Sequence, residues 1–224
     1  SGGEMALFGK DCREKGPRHD ELLAEIAAGR LDVLHSAGSY GERFAQGLAP
    51  NRELIAEALD YLATHARVPK IWSNHGDANN IQNIGGASPL PYHNGDLPGS
   101  RCYLMDLLLQ HGFEYFWIDG RLTVKAGQPS RLVARERTRS GHDIKVFQRF
   151  IGEMPWSPNG QNLALQINQA NLDAWLENDQ NVILYQHWGC HHDADFWAYT
   201  PSGHPLTEES QKALRWLAER RDKG

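Results

Sequence analysis

The chain has 224 residues, which is enough for one domain with a sizeable core. Its composition, 40% hydrophobic and 23% charged, is ordinary for a globular protein, and no apolar run approaches the roughly 18 residues that cross a bilayer. The formal net charge of −5 argues against a nucleic-acid partner, because phosphate binding needs a basic stripe. The basic run from Arg131 to Arg139 is interrupted by Glu136, and we predict that it is a solvated face.

The cysteines and the first residues say little about compartment. The three cysteines are widely spaced, which excludes a full disulfide framework and a Cys-x-x-Cys zinc site. The start, SGGEMALFGK, lacks the charged and then apolar regions of a signal peptide, and it leaves the cytoplasm and the periplasm both open. At this length we predict a single domain over residues 1–224, irregular over residues 1–17.

Apolar spacing predicts helices that alternate with short strands. Helical spacing repeats every three to four residues, whereas short apolar or β-branched runs bounded by Gly, Asn or Asp predict strands. In chain order these patterns predict helix 18–28, strand 31–36, helix 51–66, strand 68–72, helix 101–110, strand 113–118, a hairpin or extended excursion at 121–143, strand 144–150, helix 171–178, strand 181–186 and helix 207–220. Asn51 is the predicted N-cap of the second helix, and Gly29 closes the first.

Strands separated by helices favour an α/β fold with a parallel sheet and right-handed crossovers. Such a sheet belongs either to a (β/α) barrel or to an open doubly wound fold. No GxGxxG motif or P-loop follows any predicted strand, which weakens the nucleotide-binding alternatives and favours the barrel. Because the predicted strands are too few to close one, we predict a distorted (β/α) barrel that is incomplete or carries the excursion at 121–143.

Polar residues capable of chemistry stand at the ends of the predicted strands. They are His35, His75, Asp119, Arg149 and His187. The carboxyl ends of parallel strands gather on one face, which is where α/β folds bind ligands. Two neutral imidazoles and a carboxylate form an open coordination set for zinc or a similar divalent ion. Such an ion lowers the pKa of its water to ~7 and polarises a carbonyl.

The predicted metal ligands are His35, His75 and a carboxylate. Asp32 is one candidate, although strand alternation sends its side chain away from that of His35 unless the strand has ended. Asp119 has the better position at a strand end, and Asp77 lies just beyond His75 in a polar loop.

His187 and Arg149 are candidates for the remaining catalytic roles. His187 is the predicted general acid, because imidazole titrates near neutrality. Arg149 would clamp a carboxylate or orient an acid, or alternatively pair with Glu153.

Aromatic and amide side chains near the strand ends suit a sugar, whose rings offer apolar C–H faces and many hydroxyls. The predicted substrate-binding residues are Trp72, Asn74, Asn80, Trp156 and Trp188. Core packing is the alternative for Trp72, which lies inside a strand run. The amides around His75, which include Asn74, Gln82 and Asn83, either support the metal ligands or contact a sugar.

These residues together resemble the polysaccharide deacetylase superfamily. The resemblance covers most of the chain and is carried by DVLHS at 32–36, IWSNHG at 71–76, YFWID at 115–119, FQRF at 147–150 and LYQHWG at 184–189. It implies a distorted (β/α) barrel and metal-dependent removal of N- or O-acetyl groups. His35 followed by Ser36 is similar to the start of that family's His-Ser/Thr-x-x-His motif, and His187 is similar to its late-strand acid.

The chain also departs from the family pattern. Position 39 is serine, so the second histidine ligand has to come from His75. No Asp-Asp pair ends an early strand, which indicates a divergent or partial member. We therefore expect a metal-dependent carbohydrate deacetylase-like hydrolase that acts on a carbohydrate substrate. Its ligand types indicate a divalent metal, and zinc is the expected ion.

Two alternatives remain open at this level. One is a carbohydrate-binding barrel module that has lost the chemistry, which the missing Asp-Asp pair favours. The other is a metal-free glycoside hydrolase that uses Asp119 with Glu114 or Glu153, which requires carboxylates ~5–9.5 Å apart.

Overall fold

The structure is a computed structural model, and it describes residues 6–9, 12–38, 50–74, 81–85, 93–118, 123–124, 133–147, 149–150, 163–186 and 206–221. The chain divides into two compact units. The first comprises Ser1–Gly120 and Val133–Phe147, and the second comprises Arg121–Leu132 and Gln148–Gly224. The single domain over residues 1–224 stays a prediction.

Helices and strands alternate through most of the described chain. In order they are α1 (His19–Ala27), β1 (Val33–Leu34), α2 (Arg52–His65), β2 (Ile71–Ser73), α3 (Met105–Gln110), β3 (Tyr115–Trp117), β4 (Thr123–Val124), β5 (Val133–Arg137), β6 (Asp143–Phe147), β7 (Arg149–Phe150), α4 (Leu163–Gln166), α5 (Gln169–Glu177) and α6 (Glu208–Arg221). None of the helices in these ranges is long and apolar enough to span a membrane.

The first unit is built on a five-stranded sheet in the order β1-β2-β3-β6-β5. The strands β1, β2, β3 and β6 pair in parallel, and only β5 runs antiparallel, to β6. The predicted α/β class with a mostly parallel sheet is therefore confirmed. The strand β5 lies within the predicted excursion at 121–143, but its antiparallel partner β6 lies in the predicted strand 144–150. The turn between them is closed by a 2.9 Å bond from the Thr138 N–H to the His142 carbonyl.

One face of the sheet forms the centre of the core. Trp72, Phe116 and Val146 are register partners on neighbouring strands, and each is fully buried. The apolar stripe of α2 contributes Ile55 and Leu59, which are also fully buried. Burying an aliphatic or aromatic side chain contributes roughly 1.5–3 kcal/mol, so this layer is a principal source of stability for the unit.

The ends of the helices follow from local chemistry. The Asn51 side chain accepts a 2.8 Å hydrogen bond from the Leu54 N–H, which confirms the predicted N-cap of α2. Helix α3 begins later than predicted, at Met105. The N–H groups of Leu104 and Met105 instead donate to the Gly95 carbonyl, which holds the preceding residues in turns.

The second unit contains a separate two-stranded sheet, in which β4 and β7 pair in parallel. The predicted strand 144–150 is thus divided, because β6 belongs to the five-stranded sheet and β7 to this one. Within the predicted strand 181–186, the described pairing is a single bridge between Leu184 and Phe150. Leu163 and Ile167 pack with Ala213 of α6 to form a small apolar cluster.

Candidate functional site

The carboxyl ends of β1, β2 and β3 lie at the same edge of the sheet, because the three strands are neighbours and parallel. The residues that follow them directly are His35, Asn74 and Ile118. His35 is exposed at this edge. His75 and Asp119 come one residue after Asn74 and Ile118 in the sequence, and both lie outside the described residues.

Asn74 links two of these strand ends to a nearby segment, residues 81–85. Its Oδ1 accepts from the Trp72 indole N–H at 3.0 Å and from the Ile84 N–H at 2.9 Å. Its Nδ2 donates to the carbonyls of Ile84, at 2.7 Å, and Ile118. The residue is only 3% exposed, so the amide has its full set of hydrogen bonds inside the protein.

Gln82 links the same segment to the exit of β1. Its Oε1 accepts from the Ala37 N–H and its Nε2 donates to the Gly38 carbonyl, both at 2.9 Å. Gln82 and its neighbour Asn83 are fully buried. Burial of these amides and of Asn74 favours the supporting role over direct contact with a sugar. Asn80, the other amide assigned to substrate, lies outside the described residues.

Asp32 lies at the opposite end of β1 from His35. Its Oδ1 accepts from Arg67 Nη2 at 2.8 Å and from the Lys70 N–H at 3.1 Å. This ion pair holds the entries of β1 and β2 together. Of the two predicted ligands described, His35 is exposed at the carboxyl edge of the sheet, whereas the carboxylate of Asp32 pairs with Arg67 at the opposite end of β1.

Metal-capable side chains do not cluster within the described part of the chain: no group of three or more His, Cys, Asp or Glu there could hold an ion. Asp77, the other loop carboxylate considered, lies outside those residues together with His75 and Asp119. The metal site therefore stays a prediction.

Of the three carboxylates considered for a glycoside hydrolase, Glu114 alone lies within the described residues. Glu114 lies at the entry of β3, where it accepts from Lys70 Nζ at 2.5 Å. Lys70 is the first cause of a lowered pKa for Glu114. Asp119 and Glu153 lie outside the described residues.

Trp72 is a core residue in this structure. Its ring is fully buried, lies edge-on to Phe113 with ring centres 6.1 Å apart, and donates to Asn74. This placement agrees with the packing alternative for Trp72. Trp156 and Trp188 fall outside the described residues.

Arg149 belongs to the second unit, on β7. Its guanidinium carbon lies 3.8 Å from the centre of the Tyr185 ring, a cation–π arrangement. Burial lowers the pKa of Arg149 to about 10, while Tyr185 acts in the opposite direction, so the side chain stays charged at neutral pH. His187 and Glu153, its predicted neighbours in function, lie outside the described residues.

The sequence pattern does not predict the buried ion pair of Asp96 and Arg139. Asp96 is fully buried and accepts from Arg139 Nη2 at 2.6 Å and from the N–H groups of Arg139 and Gly85, each at 3.0 Å. Arg139 therefore departs from the predicted solvated face, although Arg135 and Arg137 in the same run are exposed. A carboxylate in a Gly- and Pro-rich turn usually faces water, which is why the sequence pattern does not reveal this pair.

Comparison with family models, with curated proteins and with solved structures yields no match to this chain. The features that bear on function are the three parallel strand ends and the buried amides that tie them together.

Proposed function

We propose that this chain is a metal-dependent carbohydrate deacetylase-like hydrolase. The observation that carries the proposal is the parallel, neighbouring arrangement of β1, β2 and β3. From their carboxyl ends the chain leads to His35, His75 and Asp119. Imidazole and carboxylate are the ligand types that a catalytic zinc site combines with an open position for water.

The strand order supports a distorted, incomplete (β/α) barrel. The strands β1, β2 and β3 are neighbours in chain order, with α2 and α3 as the helices between them. Right-handed crossovers in such a series place both helices on the same face of the sheet, as in a barrel. A doubly wound fold would reverse direction to place helices on both faces.

Each residue has a distinct role in the proposed reaction. His35 and His75 bind the ion through neutral imidazole nitrogens, and Asp119 or Asp77 supplies the carboxylate. Asp32 would join them only by leaving Arg67. A bound divalent ion supplies Lewis-acid activation of water and of the acetyl carbonyl. His187 donates a proton to the departing sugar hydroxyl or amine, and Arg149 orients an acidic group.

The proposal agrees with the resemblance to the polysaccharide deacetylase superfamily. His35, followed by Ser36 at an early strand end, and His187, late in the chain, support it. That this chain belongs to the superfamily is part of the same proposal.

The test combines metal analysis with acetate release. The purified chain should contain about one equivalent of zinc or a similar ion and should release acetate from an acetylated oligosaccharide. His35→Ala and His75→Ala should each lower metal affinity by more than the ~10–100-fold that loss of a supporting partner costs. His142→Ala, in the β5–β6 turn, is the matched control. Acetate release that persists in the metal-free protein, or the lack of any bound metal, would contradict the proposal.

A second candidate is a carbohydrate-binding module without chemistry. The ion pair of Asp32 with Arg67 favours it, because this carboxylate is held in a structural contact at the far end of β1. Glycan binding that survives chelation, without acetate release, would select this candidate over the first.

A further inference from the structure

We propose that Gln82 is the positioning residue for His35. The inference depends on the proposed function, since it treats His35 as a metal ligand. It is based on the contact of the Gln82 side-chain amide with the peptide groups of Ala37 and Gly38, which lie just after β1.

The two bonds made by Gln82 fix the orientation of this exit. One end of the amide accepts from the Ala37 N–H and the other donates to the Gly38 carbonyl, each at 2.9 Å. Because the amide is planar, one rotamer satisfies both peptide groups and the flipped amide satisfies neither. Gln82 is 0% exposed, so its side-chain amide makes these bonds away from bulk water.

The backbone between His35 and Ala37 needs this support. Ser36 has a φ of +66°, in the left-handed region that non-glycine residues rarely adopt. Its hydroxyl donates to the Gly38 carbonyl at 3.1 Å, the same carbonyl that Gln82 contacts. A residue in this region persists only where its surroundings hold it, and the Ser36 hydroxyl and the Gln82 amide both donate to the Gly38 carbonyl. Together they hold the turn that directly follows His35.

Gln82 is itself held in a rigid setting. Its backbone forms an antiparallel bridge with His93. A Cβ on Gly95 would lie 2.1 Å from the Gln82 carbonyl oxygen, so only glycine fits there. The amide is therefore presented from backbone that packs closely against residues 93–95.

The test measures Zn²⁺ affinity of the full chain by titration calorimetry, alongside thermal unfolding. Gln82→Met removes both polar contacts with little change in length, and Gln82→Asn keeps the amide but shortens its reach by one methylene. Both should weaken Zn²⁺ binding by ~10–100-fold, the usual effect of losing a partner that orients a metal ligand.

The matched control is Gln166→Met. Gln166 is also fully buried, and its Nε2 donates to the carbonyls of Phe150, at 2.9 Å, and Tyr185, at 3.3 Å. It lies in the second unit, whereas the exit of β1 belongs to the first. This variant should lower the unfolding temperature while leaving Zn²⁺ affinity unchanged.

The outcomes separate the two proposals. Zn²⁺ binding by the wild type that is equally tight in the Gln82 variants would overturn the inference and leave the proposed function standing. An equal loss of affinity in Gln166→Met would also overturn it, by showing a general effect of stability. If the wild type binds no Zn²⁺, both proposals fail. If Gln82→Met does not fold, Gln82→Asn decides, and unchanged affinity in that variant overturns the inference.

Discussion

At the scale of single residues, the side-chain amide explains how the sheet edge is assembled. An amide donates and accepts at once, so Asn74 and Gln82 can each bridge an N–H and a carbonyl on neighbouring loops. An ionised carboxylate only accepts, and could not replace either residue. This chemistry accounts for amides in a polar stretch that follows a buried strand.

We expect Asn74→Ala to lower the free energy of unfolding by about 2–4 kcal/mol. The substitution leaves buried polar groups of Trp72 and Ile84 without their partner, and each such group costs about 1–3 kcal/mol. Urea unfolding followed by tryptophan fluorescence measures the change.

The control for Asn74 is Asn178→Ala. Asn178 is exposed and its Nδ2 donates to the Ala174 carbonyl at 2.7 Å, so its loss should change stability by no more than about 0.5 kcal/mol. Similar losses of unfolding free energy in the two variants would show that the buried hydrogen bonds of Asn74 stabilise the protein no more than an exposed one does.

At the scale of elements, an ion pair joins the start of α2 to the first turn of α3. Arg52 Nη1 and Nη2 donate to the two carboxylate oxygens of Asp106, each at 2.7 Å, and Nη1 also donates to the Tyr103 carbonyl at 2.8 Å. The Arg52 hydrogen bonds are the first cause of a lowered pKa for Asp106. The pair therefore couples the packing of two helices to pH.

Asp106→Asn should lower the free energy of unfolding by up to about 1 kcal/mol at neutral pH, a value reduced for solvent screening because both side chains are partly exposed. The pKa of Asp106 is lower in the folded chain than in the unfolded one. Its contribution is thus complete above the ordinary carboxylate pKa of ~3.9 and is lost as the pH falls through the native pKa. Urea unfolding across this range should show the variant and the wild type converging in acid.

Asp143→Asn is the control for that series, because the pair of Asp143 with Arg137 is largely exposed. It should change stability little at any pH. If the free energy of unfolding of Asp106→Asn stays below that of the wild type by the same amount in acid, the electrostatic explanation is contradicted.

At the scale of the whole molecule, the stability of the first unit depends on a buried ion pair between two residues that are far apart in sequence, Asp96 and Arg139. Asp96 is fully buried and the Arg139 side chain is 25% exposed, so the pair is shielded from water. It ties the turn after residue 93 to the β5–β6 hairpin. Removing one partner of a buried pair costs about 3–5 kcal/mol, since the remaining charge is left uncompensated.

Asp96→Ala should therefore lower the free energy of unfolding by about 3 kcal/mol or more. Glu25→Ala, which removes an exposed pair with Arg30, should leave the unfolding temperature nearly unchanged. Differential scanning calorimetry on both variants makes the comparison. A small effect of Asp96→Ala would mean that water reaches Arg139 in solution.

Local patterns were enough to predict the alternation of helices and strands, the Asn51 cap and the position of His35 at a strand end. These features depend on periodicity and capping within a few residues, which the sequence displays directly. The mostly parallel sheet also followed from the alternation, because parallel strands need crossover connections.

Only the tertiary structure decided which polar groups are buried and with what partner. Asp32 meets Arg67, Gln82 meets Ala37 and Gly38, and Asp96 meets Arg139, each across more than thirty residues of chain. It also divided the predicted strand 144–150 between two sheets. The physical reason is that such contacts depend on long-range packing and burial, which a local pattern of residue types does not specify.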